Sequence, residues 1–593
     1  MSVNDLSMSF WQTIEQQAAK KQIFAYVKNK KITYKNLAEN IKRLSGFFYH
    51  NNLKSVLLIS NNEQFIAEIS IAALINGVVF SVVDADTKQP RFDSVVDCFK
   101  PDFIFMDSGL TIQLKNDFCL LAESKPASTI ASIFKGDSQK DCYPHVLKKY
   151  TERLPDFSHN QLMAYVLFTS GTTSTPKGVQ ISTAALFSHL RTLSEVYRYK
   201  KDSHILNSLK LSHADGLVQG PMLALFNSIT WSHLGLFEIS KAANIFDYIV
   251  ANDISHLITV PIVLGLLYKY APFDDAFQSE HFYCVVSTGG ALSAELWQGF
   301  EGKYQTIISN LYGLTETCAG GVFTEVSNDP ARIGCIGKAV DMQFVLGVPE
   351  QLNDSDEGVL WLKGNNVMTG YLNSPNETHK VFKGEWLNTG DIARLNSNGT
   401  LSIIGREKDL INAGGYAIYP QEVNESLCIH PSITNAYTTS RHDDVYGEYI
   451  VSLIELSTTL SSFDVINHAR QYLEEHKLPR TVYFTASIPL GVSGKVNQEQ
   501  AEILINEQDS STNIDYENQQ LKLLNIAASI FSVELAELSL NSSAQTTAGW
   551  DSLGHLMLIT EAEQQFNVQL SPIEIMQITT LSQLFKLVTS KAN

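Results

Sequence analysis

Phe168-Thr169-Ser170-Gly171-Thr172-Thr173-Ser174-Thr175-Pro176-Lys177-Gly178-Val179 is the stretch on which the reading of this chain turns. An apolar run, Leu162 to Phe168, leads into a loop of hydroxyls and glycine that ends in one lysine. Such a loop can turn backbone N–H groups and hydroxyls toward a polyphosphate, and Gly171 and Gly178 permit close backbone approach. It differs from the Walker-type loop, which needs glycine before its lysine and Ser/Thr after it, because Lys177 follows proline and precedes glycine. A Ser/Thr-rich surface turn is the plain alternative, and the order of the string outweighs it.

The chain around this loop has 593 residues, too many for one core, and length alone suggests about three or four domains. With 44% hydrophobic and 18% charged residues it reads as globular rather than disordered. A net charge of −18 with no basic tract argues against a nucleic-acid partner. The polar start, Met1-Ser2-Val3-Asn4-Asp5, carries no basic-then-apolar leader pattern. The most apolar long stretch, Phe65 to Val83, contains Glu68 and Asn76 and reads as a buried helix running into a strand, not a membrane span. The seven cysteines are scattered without a Cys-x-x-Cys pair, which suits reduced core residues and a cytoplasmic setting.

Short β-branched runs alternate with helix-length patterns through the first four hundred residues: Ser55 to Ile59, Val78 to Val83, Phe103 to Phe105, Leu257 to Val260. The expected fold class is α/β multidomain, with largely parallel sheets in the large part. Shorter elements begin around Gly405, and Pro489 to Val496 closes this smaller unit. The polar segment Asn506 to Asp515 reads as a linker. From about residue 517 the pattern is a helical module, with Leu521, Leu524, Ala527, Ile530 and Phe531 at helical spacing. Ser571-Pro572-Ile573-Glu574 and Thr580-Leu581-Ser582-Gln583 read as capping boxes.

Six further strings carry chemistry. Asn310-Leu311-Tyr312-Gly313-Leu314-Thr315-Glu316 offers a ring that can stack on a purine, a hydroxyl for phosphate and a carboxylate for magnesium. Ser287-Thr288-Gly289-Gly290-Ala291 is a small-residue turn. Leu387-Asn388-Thr389-Gly390-Asp391 and Gly405-Arg406-Glu407-Lys408-Asp409 supply a carboxylate able to accept two hydroxyl protons and a guanidinium able to donate. Pro489-Leu490-Gly491-Val492-Ser493-Gly494-Lys495 ends in a cation suited to neutralising charge as a carboxylate approaches phosphate. Asp551-Ser552-Leu553 sets a hydroxyl at a helix start, where Ser552 or Asp551 could also simply cap.

In this order the strings resemble the adenylate-forming superfamily: acyl- and aryl-CoA ligases, luciferases and the adenylation domains of nonribosomal peptide synthetases. The tail resembles an acyl or peptidyl carrier protein. The resemblance covers essentially the whole chain. It implies a large layered α/β adenylation domain over 1–404, a small mobile α+β domain over 405–505, a linker over 506–516 and a four-helix carrier over 517–593. It places Thr169, Ser170, Gly171, Thr172, Thr173 and Lys177 in the phosphate loop, where Ser174 stands in place of the family's usual glycine. It places Tyr312 near adenine with Asn310 and Gly313, Thr315 on the α-phosphate, and Glu316 on Mg²⁺. Gly289, Gly290 and Ala291 then line the adenine and acyl pocket, and Asp391 and Arg406 meet the ribose. Lys408 is the implied hinge, Lys495 the catalytic lysine bridging carboxylate and phosphate, and Ser552 the phosphopantetheine attachment site.

The reaction so implied has two halves. A carboxylate attacks the α-phosphorus of ATP to give acyl-AMP and pyrophosphate, and the acyl group then passes to the phosphopantetheine thiol. A swing of the small domain between the halves withdraws Lys495 and brings Gly414 and Gly415 toward the thiol. The implied partners are a small carboxylic acid, a phosphopantetheinyl transferase and downstream enzymes acting on the loaded carrier. Neither a membrane nor nucleic acid is expected, and the chain is expected to act as a monomer in secondary-metabolite biosynthesis.

Leu211-Ser212-His213-Ala214-Asp215-Gly216-Leu217 bears on the acid. His213 falls at the family's pocket-gating position; a core histidine is the alternative. Amino-acid-activating members place an aspartate next to that position, where this chain has Ala214, with Asp215 one place later. Without that aspartate an α-ammonium would be buried unpaired. A carboxylic acid without an α-ammonium is therefore expected, and an amino or β-amino acid whose ammonium reaches Asp215 is the second choice. A ligase using free CoA is the rival reading of the whole chain.

Overall fold

The computed structural model describes residues 3–592 except 29, 108–111, 113–148, 158, 160, 170–175, 236–241, 272–274, 350–355, 414–415, 444–446, 491–495, 532, 548–549, 551 and 567. The chain divides into two compact units, 1–425 and 426–593.

The first unit is built on three sheets. A six-stranded sheet runs in the order Gly370–Tyr371, Lys177–Ser182, Met163–Thr169, Val79–Val83, Ser55–Ile59, Phe103–Met106. A nine-stranded sheet is parallel from Ile308–Tyr312 through Cys284–Thr288, His256–Thr259, His204–Asn207 and Thr230–His233 to Ile23–Val27. The expected strand runs all form, and the α/β class holds. Met163–Thr169 and Lys177–Ser182 already pair antiparallel, and the expectation of largely parallel sheets ends altogether at residue 342. There Met342–Leu346, Glu357–Gly364, Trp386–Leu395 and Leu401–Arg406 pair antiparallel. The physical reason is connection length: residues 396–400 join the last two strands through a turn with Gly399 at φ +77°, whereas a parallel return needs about a dozen residues. The same pairing ties Leu401–Arg406 to Trp386–Leu395.

The helix Glu63–Ile75 is apolar on every face, with Ala67, Ile69, Ile71, Ala72 and Ile75 all at or below 1% exposure. A helix with no polar face must be enclosed on all sides, and this one lies in the main core. Its fully buried carboxylate is accommodated by hydrogen bonds: Glu68 accepts from Asn40 Nδ2 and Gln64 Nε2, each at 2.9 Å. Asn76 ends the helix and donates to Ser45 Oγ at 2.9 Å. Among the described residues no helix is long and apolar enough to cross a membrane, and Cys98, Cys284, Cys318, Cys335 and Cys428 are free thiols.

Among the described residues, core histidines respond to acid. Burial holds His204 and His256 to about 4 and His189 to about 3, against 6.5 for a free imidazole. The first two are anchored neutral, His204 between the Asn252 carbonyl and Ser232 Oγ, and His256 between Ser255 Oγ and the Tyr197 carbonyl. Their folded pKa values lie below the unfolded one, so the unfolded chain binds more protons as pH falls. Stability is intact above pH 6.5 and is lost from there down toward pH 4. The melting temperature should therefore drop between about pH 7 and about pH 4. A flat profile across that window would show that these rings do not stay neutral in the fold.

In the second unit Ile433–Asp443 and Gly447–Leu456 pair antiparallel, with Thr481–Thr485 parallel to the latter. The segment expected as a linker is instead helical backbone within Gln498–Phe531. Residues 506–516 contain neither glycine nor proline, and once flanking turns are nucleated by buried Ala501 and Ile505 on one side and Leu523 and Ala527 on the other, propagation is cheap. The last part of that helix packs with Ser552–Phe566, Pro572–Gln577 and Leu581–Ala592 into the expected four-helix module. Its buried seam is Leu523, Ala527 and Phe531, while Leu521 is half exposed, a shift from the expected register. Both capping boxes form: Ser571 with Glu574, and Thr580 with Gln583.

Candidate active site

The parallel strands of the nine-stranded sheet end at Asn207, Thr259, Thr288 and Tyr312. The chain leaving those ends carries His213–Asp215, Val260, Gly289 and Thr315–Glu316, so the candidate residues gather at the carboxyl edge, where open α/β sheets place ligands.

Thr169 and Lys177 are register partners of an antiparallel pair, so the two ends of the hydroxyl loop are brought together. Ser170, Gly171, Thr172, Thr173 and Ser174 lie outside the described residues. Lys177 Nζ stands 2.7 Å from Glu377 Oε2 and 5.2 Å from the centre of the Tyr371 ring. Its hydrogen bond, followed by that of Lys380, holds the Glu377 carboxyl down to about 2. The Tyr371 hydroxyl donates to Glu316 Oε1 at 2.8 Å. Burial, then the Glu316 charge, pushes the Tyr371 phenol up. Thr315 and Glu316 open the tight turn Thr315–Thr317. Gly313 precedes that turn because a Cβ there would lie 2.3 Å from the Gly320 nitrogen, a contact no side chain can make.

Asp391 and Arg406 face each other across adjacent strands. Arg406 Nε reaches Asp391 Oδ1 at 2.8 Å, and the Tyr312 hydroxyl donates to Asp391 Oδ2 at 2.6 Å. Asp391 is 3% exposed and sits inside a strand, so it is neither a turn residue nor half of a surface pair. Burial, reinforced by the Asp391 charge, pushes the Tyr312 phenol up. Asn310 is buried, and its amide donates to the Cys335 carbonyl.

A further cluster is built around Gly289, whose φ of +73° suits glycine. A Cβ there would stand 3.5 Å from Val260 Cγ1 and 3.7 Å from Asp215 Oδ2. Asp215 Oδ1 accepts from the Thr288 hydroxyl at 2.6 Å and from Gln219 Nε2 at 2.9 Å, so the carboxylate is held in one orientation. Ala214 is 4% exposed and belongs to the main core. His213 is exposed just before the helix Ala214–Leu217 and is not a core histidine. A Cβ on Gly290 would stand 3.4 Å from the Pro261 ring, and Ala291 is exposed.

Lys408 is exposed on the turn Glu407–Asp409. Ser552 begins the helix Ser552–Phe566, preceded by Trp550, which stacks on Phe531 at 5.0 Å and donates to His555 Nδ1. Lys495, Gly414, Gly415 and Asp551 lie outside the described residues. Sequence reasoning missed Tyr371, Glu377 and Gln219. Glu377 meets its partner across 200 residues of chain, and neither Gly370-Tyr371 nor Asn376-Glu377 has a local signature.

Residues 10–372 match the family of AMP-binding enzymes, and residues 422–495 match the AMP-binding enzyme C-terminal domain. The chain belongs to the AMP-binding enzyme family. Residues 522–588 match the phosphopantetheine attachment site, so an adenylate-forming enzyme is fused here to a C-terminal carrier domain. Sulfoacetate–CoA ligase of Cupriavidus necator is 29% identical over 56% of this chain, and the match spans 66% of that ligase. A 4-coumarate–CoA ligase-like protein of Arabidopsis thaliana is 24% identical over 78% of this chain and 86% of its own length. The 2-succinylbenzoate–CoA ligase of Bacillus velezensis is 24% identical over 82% and 96%. In fold the chain is similar to ATP-bound MatB from Rhodopseudomonas palustris, with a TM-score of 0.74 at 22% identity over 84% of this chain and 98% of that one. Family and relatives together mark an ATP-dependent acid–thiol ligase.

The residues present fit the cofactors of such an enzyme. Glu316 offers a hard oxygen donor whose other oxygen is already oriented by Tyr371, and Mg²⁺ commonly takes one or two carboxylates plus substrate phosphates. Ser552, at the first position of its helix, suits attachment of phosphopantetheine. The carrier domain implies a phosphopantetheinyl transferase as a partner.

Proposed function

We propose that this chain activates a carboxylic acid lacking an α-ammonium as its acyl-adenylate and loads it onto its own Ser552, within a secondary-metabolite assembly line. The observation that carries this reading is the presence, on one chain, of the Lys177–Glu316 and Tyr312–Asp391–Arg406 constellations together with a carrier helix that begins at Ser552. The acid needs no general base, being ionised at neutral pH. The carboxylate oxygen bonds to the α-phosphorus as the bond to pyrophosphate breaks. Lys177, with Lys495 and the loop hydroxyls, neutralises the accumulating charge, while Asp391, Arg406 and Tyr312 hold the nucleoside. Mg²⁺ at Glu316 would offset phosphate charge, and a phosphopantetheine arm on Ser552 supplies the thiol that accepts the acyl group as AMP leaves. Lys408 is the pivot about which 405–505 turns between steps.

Radiolabelled acid incubated with ATP and the phosphopantetheinylated chain should appear on the protein. Label on free CoA instead would favour the ligase reading that the relatives' names suggest.

The position of Asp215 favours a second reading of the acid. Because Ala214 is in the core and the Asp215 carboxylate approaches Gly289, an acid entering there meets a fixed negative group. Sulfoacetate and 2-succinylbenzoate, the acids named for two relatives, each carry a second anion that this wall would repel. An amino group placed beyond the α-carbon would be welcomed. In a panel of acids tested by pyrophosphate exchange, Asp215→Asn should raise kcat/KM for dianionic acids at least about tenfold, the order of one lost charge contact, and leave the KM for ATP unchanged. A wild-type preference for dianionic acids, unmoved by the substitution, would remove Asp215 from the pocket. Ala214→Asp would bury a charge in the core and destabilise the fold rather than retune it.

A further inference from the structure

We propose that Tyr371 is a positioning residue that couples the metal carboxylate, Glu316, to the phosphate-loop lysine, Lys177. This rests on the reading above in which Glu316 holds Mg²⁺ and Lys177 meets the nucleotide phosphates. Tyr371 is 8% exposed. Its strand is fixed on one side by pairing with Lys177–Ser182, where Tyr371 lies opposite Val179 and the Leu372 N–H donates to the Gly178 carbonyl at 2.7 Å. On the other side the Tyr371 N–H donates to Thr378 Oγ1 at 2.9 Å. Held at both edges, the ring turns its hydroxyl to Glu316 Oε1 at 2.8 Å and its face to Lys177 Nζ at 5.2 Å.

One phenol thus touches both charged groups that flank the triphosphate. With Oε1 occupied, the second Glu316 oxygen has a defined direction before any metal arrives, as outer partners do for metal ligands generally. Lys177 is likewise confined between the ring face and Glu377 Oε2 at 2.7 Å, so the cation and the carboxylate are pre-set relative to each other. The hydroxyl serves the carboxylate and the ring face serves the lysine, which makes the two roles separable by substitution.

Calorimetric titration of the full chain with ATP, once with Mg²⁺ and once with EDTA, reads both roles without turnover. Tyr371→Phe keeps the ring and removes the hydroxyl. It should weaken Mg²⁺–ATP binding at least about tenfold, the size of a lost hydrogen bond to a charged group, and leave metal-free ATP binding close to wild type. Tyr371→Leu removes the ring as well and should weaken both. Equal weakening of both titrations by Tyr371→Phe would mark a merely structural ring and overturn the proposal, as would no change in either. Glu316→Gln, titrated alongside, separates the failures. If the advantage of Mg²⁺ survives in that variant, the metal reading fails and the positioning role falls with it. If the advantage vanishes there but persists in Tyr371→Phe, only the positioning role is lost.

Discussion

Replacing Lys495 with alanine is expected to cut acid-dependent pyrophosphate exchange by roughly 10²–10³-fold, the usual loss when one preorganised charge-stabilising group is removed. Transfer of the acyl group from supplied acyl-adenylate should stay within a few-fold of wild type. The asymmetry follows from charge. In the first half-reaction an anion approaches a polyanion, and in the proposed mechanism Lys177, which pairs with Glu377, meets the triphosphate from one side only. A second cation at the end of Ser493-Gly494-Lys495 relieves repulsion where the carboxylate meets phosphorus. In the second half-reaction the electrophile is an acyl carbon and the leaving group is AMP, so a lysine between carboxylate and phosphate has no repulsion left to relieve. Measuring the two halves separately checks this. Equal losses in both would mean that Lys495 supports the fold or nucleotide binding in general.

Ser552→Ala should abolish covalent loading while adenylation persists. Wild-type chain treated with CoA and a phosphopantetheinyl transferase should gain the mass of one phosphopantetheine, then one acyl group on addition of acid and ATP. The alanine variant should gain neither. Acid-dependent pyrophosphate exchange should be unchanged, because every described residue of the nucleotide constellation lies between Thr169 and Arg406, in the other compact unit. The carrier core rests on Leu523, Phe531, Trp550, Ile559 and Phe585, which the substitution leaves in place. Modification at a different serine would overturn the assignment.

Strand runs, the buried helix Glu63–Ile75 and the two capping boxes were legible because each is decided by neighbours close in sequence: alternation, apolar periodicity, and a hydroxyl three residues from a carboxylate or amide. The helical backbone of the segment read as a linker was not legible, for the complementary reason. Polar composition says that 506–516 buries little, yet helix propagation needs only that no residue break it. The seam of the carrier helix shifted from Leu521 to Leu523 because its face is chosen by the helices that pack on it.

The strings around Lys177, Glu316, Asp391 and Arg406 were sufficient, through their resemblance to a known family, to identify that family and the order of its parts, since each is a contiguous run readable without the fold. Only the tertiary structure decided how those runs act on one another. It joined Tyr312 to Asp391 and Arg406, set Tyr371 between Lys177 and Glu316, and turned Asp215 rather than Ala214 toward Gly289. Those pairings depend on strand register and on which face of a short helix is buried. Both are fixed by packing between segments far apart in the chain, which leaves no mark on the local sequence of either partner.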